Sequence, residues 1–255
     1  MDKSDAIVLR TIEFSETSLV VTLLTRDFGK LGTLAKGARR PKGPFEGSLD
    51  LLALCRVVLI RKAGDTLDLL TEAKLERRFR ATELAYLDAH QRLQRLYAGY
   101  YVAEMIRHWT DEGDPHPELF DLTLATIQRI DGDAPLAASL LFFELQALRL
   151  LGHAPGTQQC VACGGPLPTA GAQTFGLLAG GALCDRCRRQ HRETKILSAE
   201  SFRVLQFLLS PEAIRPETVA EKIYGELRPL LSRYITTMLG YAPRMSRYLP
   251  TSVDT

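Results

Sequence analysis

Leu19-Val20-Val21-Thr22-Leu23-Leu24-Thr25-Arg26-Asp27-Phe28-Gly29-Lys30-Leu31-Gly32-Thr33-Leu34-Ala35 decides the fold of the first third of the chain. Two runs of aliphatic and β-branched residues flank Asp27-Phe28-Gly29-Lys30, a cluster of turn formers. The pattern reads as strand, turn, strand. Working outward, Ile7-Val8-Leu9 precedes the pair, and Leu51 to Ile60 follows the long polar segment Lys36 to Pro44. Leu67-Asp68-Leu69-Leu70-Thr71 follows the turn Ala63-Gly64-Asp65. Five short strands in about 75 residues, without a helix long enough for a parallel crossover, predict a small closed antiparallel barrel. The OB-fold and the SH3-like barrel are the two common forms of that size. Cys55, inside the fourth run, reads as a small buried hydrophobe. Phe28 and Phe45 read as core rather than as base-stacking residues.

From about residue 80 the period changes. Leu84, Leu87, Leu93, Leu96, Tyr97, Tyr100, Tyr101 and Ile106 recur at three and four, one helix face, with Tyr86 read as core alongside them. Asp111-Glu112-Gly113-Asp114-Pro115 breaks that helix and reads as a solvated turn. A second helix runs over Leu119 to Ile130, and a third from Pro135 to Leu151, stopped by Gly152 and Pro155. Ser198 opens a helix through Leu209, with Ser201 where a capping box would have an acid. A last helix spans Pro216 to Leu239, and the tail after Pro243 reads as frayed. The layout is α+β and multidomain: a barrel at 1–79, helices over 80–255, and an inserted module at about 156–195.

That module carries Cys160-Val161-Ala162-Cys163 and Cys184-Asp185-Arg186-Cys187, with twenty residues between the pairs. A two-residue gap lets one turn aim both sulfurs at a common point, and two such turns supply four thiolates to one Zn²⁺. Gly164 and Gly165 suit the turn after the first pair. Four thiolates fill the coordination shell, so the metal would be structural, one per chain. Two disulfides and four unrelated core cysteines are the alternatives. Disulfides need an oxidising compartment. The charged start Met1-Asp2-Lys3-Ser4-Asp5-Ala6 has no secretion signal, and no run is long enough to span a membrane. A cytoplasmic location follows as the expectation.

No sequence feature argues for catalysis, although triads can assemble from distant residues. Gly29-Lys30 fails as a phosphate loop, with Leu24 for the first glycine and Leu31 for the hydroxyl residue. His90, His108, His116, His153 and His191 are scattered and form no metalloprotease or deaminase pattern. No nucleophile elbow exists. Charge distribution is more telling. The chain has a net charge of only +2, but residues 1–80 hold fifteen Lys and Arg against eleven Asp and Glu. Lys30, Lys36, Arg39, Arg40 and Lys42 meet no acid before Glu46. A loop with four cations in seven residues, stiffened by Pro41 and opened by Gly37 and Gly43, suits a phosphate backbone. A solvated basic turn is the plain alternative. Arg77, Arg78 and Arg80 extend that path or begin a helix. Arg186, Arg188, Arg189, Arg192 and Lys195 lie on the second cysteine turn, where contact with phosphate and a plain surface role are both open.

Four segments resemble the N-terminus of the bacterial recombination mediator family RecO: Ala6-Ile7-Val8-Leu9-Arg10, Phe14 to Val20, Leu23 to Lys30, and Ala35-Lys36-Gly37-Ala38-Arg39-Arg40. Glu144-Leu145-Gln146-Ala147-Leu148-Arg149-Leu150-Leu151-Gly152, leading into Cys160-Val161-Ala162-Cys163-Gly164, is also similar to that family. The resemblance implies an N-terminal OB-fold, a helical domain and a four-cysteine zinc module. It implies a non-enzymatic protein of DNA repair, at the bacterial nucleoid, that binds single- and double-stranded DNA and anneals complementary strands. The partners it implies are RecR, usually RecF, RecA and the single-strand-binding protein. The family's basic barrel surface falls on Lys36, Arg39, Arg40 and Lys42, and some relatives lack the cysteines that this chain keeps. Pro41-Lys42-Gly43-Pro44-Phe45 departs from the family in its extra proline. A zinc-containing protein–protein adaptor and an RNA-binding protein are the competing readings of the residues.

Overall fold

The structure is a computed structural model and describes residues 1–253 apart from Pro41, Lys42, Glu46, Ala63, Asp65 and Arg215. The chain forms two compact units, Met1–Asp133 and Ala134–Thr255.

In the first unit, β1 (Asp2–Glu13), β2 (Leu19–Thr25), β3 (Gly29–Ala35), β4 (Leu54–Ile60) and β5 (Asp68–Arg77) close into a barrel of order β1-β2-β3-β5-β4. β1 divides its length between its two neighbours: Ala6 to Glu13 pair with β2, and Asp2 to Ile7 pair with β4. The register slips between Val8 and Arg10, and this bulge lets one long strand bend across the barrel. The sequence reading stopped this strand at Leu9. It also expected only antiparallel pairs, whereas β3 and β5 run parallel over Thr33–Ala35 and Asp68–Leu70. No helix is needed for that pair, because β4 is itself the crossover. This strand order is that of the OB-fold. Strand burial alternates as a half-buried sheet requires: Leu31, Thr33 and Ala35 point inward from β3, and Lys30, Gly32 and Leu34 outward. Val8, Leu23, Val57, Leu59 and Leu70 fill the interior, together with Phe45. Cys55 is buried with them, its thiol pushed up to about 12 by burial.

The change of period at residue 80 marks the end of the barrel, but α1 (Ala89–Trp109) and α2 (Pro117–Ile130) belong to the same compact unit. α1 starts later than the leucine pattern suggests. Asp88 accepts a hydrogen bond from the Gln91 N–H, and the Gln91 side chain accepts from the Asp88 N–H. This capping box overrides the periodicity of Leu84 and Leu87, and Tyr86 ahead of it is exposed rather than core. Gly99 sits in the middle of α1, at a cost of about 1 kcal/mol in helix propensity. A Cβ there would lie 2.7 Å from both Leu52 and Phe79, so the missing side chain is what lets the helix seat.

The loop between α1 and α2 is not merely solvated. The Gly113 N–H donates to the Lys30 carbonyl at 2.9 Å, and Glu112 forms a bridge with Lys30. The loop thus covers the edge of β3 that β5 does not reach. A Cβ on Gly29 would meet the Asp114 carbonyl oxygen at 2.1 Å.

In the second unit, α3 (Leu136–Leu150), α4 (Ala199–Leu208) and α5 (Glu221–Leu239) accompany a small sheet of order β7-β6-β8. Its strands are β6 (Gln173–Gly176), β7 (Gly181–Leu183) and β8 (Thr194–Leu197), which the sequence reading missed. Every residue from Leu136 to Leu148 is buried, so α3 is the central helix. Ser198 caps α4 through the Ser201 N–H. The acid missing from its capping box comes from α5: Glu226 accepts from the Ser198 N–H at 2.7 Å. Burial opposes ionisation of Glu226, but the hydrogen bonds from Ser198 and Ser201 outweigh it and hold its pKa down. α5 begins at Glu221 rather than Pro216. The tail is fastened rather than frayed, with Leu249 buried and the Tyr224 hydroxyl donating to the Pro250 carbonyl at 2.7 Å. Among the described residues, no helix is long and apolar enough to cross a membrane.

Candidate nucleic-acid face and metal centre

The outward rows of β1, β2 and β3 follow from the register. Arg10, Thr22 and Gly32 form one row, and Ile12, Val20 and Leu34 the next. Lys36 leaves the end of β3, and Gly37, at φ +74°, turns the chain so that the Arg40 N–H donates to the Gly37 carbonyl. The Arg39 N–H donates to the Thr17 carbonyl at 3.0 Å, which ties this loop to the β1–β2 loop. The Arg39 guanidinium meets Glu13 at 3.1 Å, with both side chains well exposed. Lys36, Arg39 and Arg40 are thus surface cations held beside one face of the barrel. Lys42 and Pro41 lie outside the described residues.

The other predicted cations have structural engagements. Lys30 donates from Nζ to the Arg107 carbonyl at 2.8 Å and to the Thr110 carbonyl, both at the C-terminal end of α1. It caps carbonyls that the helix leaves unpaired and meets the negative end of the helix dipole. Burial pushes its ammonium below the ordinary lysine value, against the pull of Glu112 and Asp111. Lys30→Ala is expected to cost about 1–3 kcal/mol by orphaning those carbonyls, read as a lower urea midpoint, while leaving nucleic-acid affinity in place. Arg77 pairs with Asp131 at 3.1 Å, and Asp131 also accepts from the Arg80 N–H. Arg78 lies 3.6 Å from Asp50 and packs over Gly47. Phe28 is partly buried, with the Arg61 guanidinium 5.4 Å above its ring.

Cys160, Cys163, Cys184 and Cys187 come together with all four sulfurs within 4.8 Å of one another. The β6–β7 hairpin carries Cys184 and the turn of Cys187. The Val161 N–H donates to the Ala182 carbonyl, which fastens the first cysteine turn to the same hairpin. All four cysteines are free thiols, which removes the disulfide alternative. The donor set fits a tetrahedral metal ion. Four sulfurs about 2.3 Å from one centre lie about 3.8 Å apart, and Cys163 and Cys184 are 3.8 Å apart. Burial opposes ionisation of Cys160, but backbone N–H groups of Cys184, Ala162 and Cys163 outweigh it and bring its thiol down to about 6. The Gly165 N–H holds the Cys163 thiol below its ordinary value as well. Arg186 reaches toward Cys163 and Cys187 and supplies compensating positive charge. Cys187 is pushed the other way, up to about 12, first by its hydrogen bonds with Cys163 and Cys184, so the surroundings favour the thiolate at Cys160 and Cys163 and not at Cys187.

Comparison with known proteins agrees with this architecture. Residues 1–79 match the family described as Recombination protein O N terminal, and residues 90–247 match Recombination protein O C terminal. The chain belongs to the RecO family. A DNA repair protein RecO of Rhodopirellula baltica is 46% identical, across 98% of this chain and 99% of that relative. The RecO proteins of Anaeromyxobacter dehalogenans and Myxococcus xanthus are 32% and 33% identical, over 97% and 92% of this chain and 95% and 91% of their own lengths. RecO membership sets the chain among DNA repair proteins that mediate recombination rather than catalyse a reaction.

One feature of the RecO barrel face escaped the sequence reading. Ile12 and Phe14 are 42% and 62% exposed. The signal was present: Arg10 and Ile12 alternate with Thr11 and Glu13 along β1, and Phe14 follows directly. Ending β1 at Leu9 hid it.

Proposed function

We propose that this chain is a DNA-binding recombination mediator whose barrel tracks the phosphate backbone of single and double strands. The observation that carries the reading is the set Lys36, Arg39 and Arg40, exposed on a loop hydrogen-bonded to the rim of the β1–β2–β3 face. In OB-folds this face and its neighbouring loops are the usual nucleic-acid surface. Lys42 extends the set, with Arg77 and Arg78 as outlying contacts, whereas Lys30 contributes mainly to the fold. The domain at 1–79 is the binding module, and 80–255 carries the partner surfaces. Family membership supports annealing of complementary strands and, with RecR, loading of RecA onto strands coated by the single-strand-binding protein, with RecF as a further partner. It supports a cytoplasmic, nucleoid-associated place of action. The four thiolates hold one structural Zn²⁺, the metal that tetrahedral four-sulfur sites favour.

The test is fluorescence anisotropy of labelled DNA across salt concentrations. If Lys36, Arg39, Arg40 and Lys42 each neutralise one phosphate, log K falls against log salt with a slope of about −3 for single strands. Arg39→Glu with Arg40→Glu should weaken binding to all sequences alike and flatten that slope. Unchanged affinity in this double variant would sink the assigned interface, and a clear preference for RNA of equal sequence would favour an RNA-binding protein.

A further inference from the structure

We propose that Phe14 is a base-stacking platform that makes the barrel favour single strands over duplex. The inference rests on the phosphate-tracking reading above and names the substrate that this face selects. Phe14 is 62% exposed at the end of β1, beside Ile12 at 42%. Neither stands alone, because the cross-strand register sets Ile12 beside Val20, and Val20 beside Leu34. An apolar strip therefore runs across three strands of the face. Single exposed apolar residues need no explanation, but a strip continuous with a cationic loop does.

The backbone around the ring is fixed. The Phe14 N–H donates to the Ser18 carbonyl at 3.0 Å, and the Ser15 N–H to the same oxygen at 3.3 Å. Glu13, next in chain to Phe14, pairs with Arg39, and the Arg39 N–H is bonded to Thr17 on the same loop. A ring and a phosphate-binding cation are thus held on one hydrogen-bonded rim, with Arg10, Lys36 and Arg40 exposed beside them. The Glu13–Arg39 pair is solvent-screened, and a phosphate oxygen can replace its carboxylate.

The chemistry that fits an apolar strip edged by cations is a polyanion with free apolar faces. Single-stranded nucleic acid has these. In a duplex the same base faces are stacked on one another and closed to Phe14. The cations serve both forms, and the ring serves only one.

The experiment compares Phe14→Ala, Phe14→Trp and the Arg39→Glu/Arg40→Glu variant on an oligothymidylate and on a duplex of equal length. Phe14→Ala should weaken oligothymidylate binding about tenfold and leave duplex binding within about twofold, as loss of one stacked base implies. Phe14→Trp should keep the affinity and show tryptophan emission quenched on adding the oligothymidylate. The chain's one native tryptophan, Trp109, is buried and gives little competing change. Equal losses on both ligands, or no loss and no quenching, overturn the stacking role. If the arginine variant weakens binding while Phe14→Ala does not, only the Phe14 inference fails, and the strip becomes a candidate protein contact. If neither variant changes affinity, the barrel-face reading fails with it.

Discussion

Cys163→Ser should take the metal content from about one ion per chain to none and unfold the cysteine module. The apolar cluster there consists of Cys160, Leu183 and Cys187, with Leu167, Ala179 and Cys184 at its margin. Two of those three buried members are ligands, so the sulfurs that the metal draws together are also part of the packing around it. The module also buries Phe175, Leu177 and Ala182, but a segment of about 40 residues rarely folds on burial alone. Structural Zn²⁺ sites contribute about 10–16 kcal/mol of apparent binding free energy, and where no site preexists this is folding free energy. Serine keeps the shape of the side chain but offers a hydroxyl that does not ionise near neutral pH. Elemental analysis would give the metal, and limited proteolysis would give the location of the damage. Cleavage should appear between residues 156 and 195, while the barrel of Met1–Asp133, a separate compact unit, stays resistant. A metal-free variant as resistant as the parent would refute the structural role.

Glu144→Ala should be nearly as severe in the second unit. Glu144 lies on the central helix α3 with a side chain 0% exposed, and Arg228 of α5 donates to it at 2.8 Å. A buried ion pair adds little net stability when intact. Removing one partner of a buried pair is costly, about 3–5 kcal/mol, because the remaining charge loses its counter-ion. Arg228, with a side chain only 11% exposed, would keep the Tyr224 hydroxyl beside it but no longer the Glu144 carboxylate. Hydrogen exchange at the α3 amides reads this unit separately from the barrel, where a single unfolding transition would blur the two. Glu144→Leu with Arg228→Met should recover much of the loss. A cost below about 1 kcal/mol for Glu144→Ala would mean the guanidinium finds water or another acceptor, against the burial seen.

The parts of this architecture that were legible in the sequence are those written in local signals. The alternation through Leu19–Ala35 marks two strands and their turn without outside help. The paired cysteines mark the four-sulfur cluster, because ligand spacing is itself the signal. What escaped was set by distant partners. β1 extends to Glu13 because β2 lies opposite it, and the alternation over Arg10–Glu13 is too short to show that neighbour by itself. β6, β7 and β8 are three or four residues each, too short for periodicity to register. Lys30 reads as one more cation in a basic stretch, and only the approach of α1 turns it into a helix cap. The acid that completes the cap of α4 comes from Glu226, 28 residues downstream.

The seating of Gly113 on Lys30 bears on how this chain is made. The free side of β3 at Gly29–Gly32 is covered by residues that emerge from the ribosome long after the fifth strand. Until then the nascent barrel carries an open hydrogen-bonding edge, together with outward-facing Ile7 and Leu24, both fully buried in the finished unit. Such edges recruit strands from other chains. The smallest piece able to mature without that hazard is therefore not the five strands but the whole of Met1–Asp133, and any domain shuffling that moved the barrel would have had to carry the two helices with it.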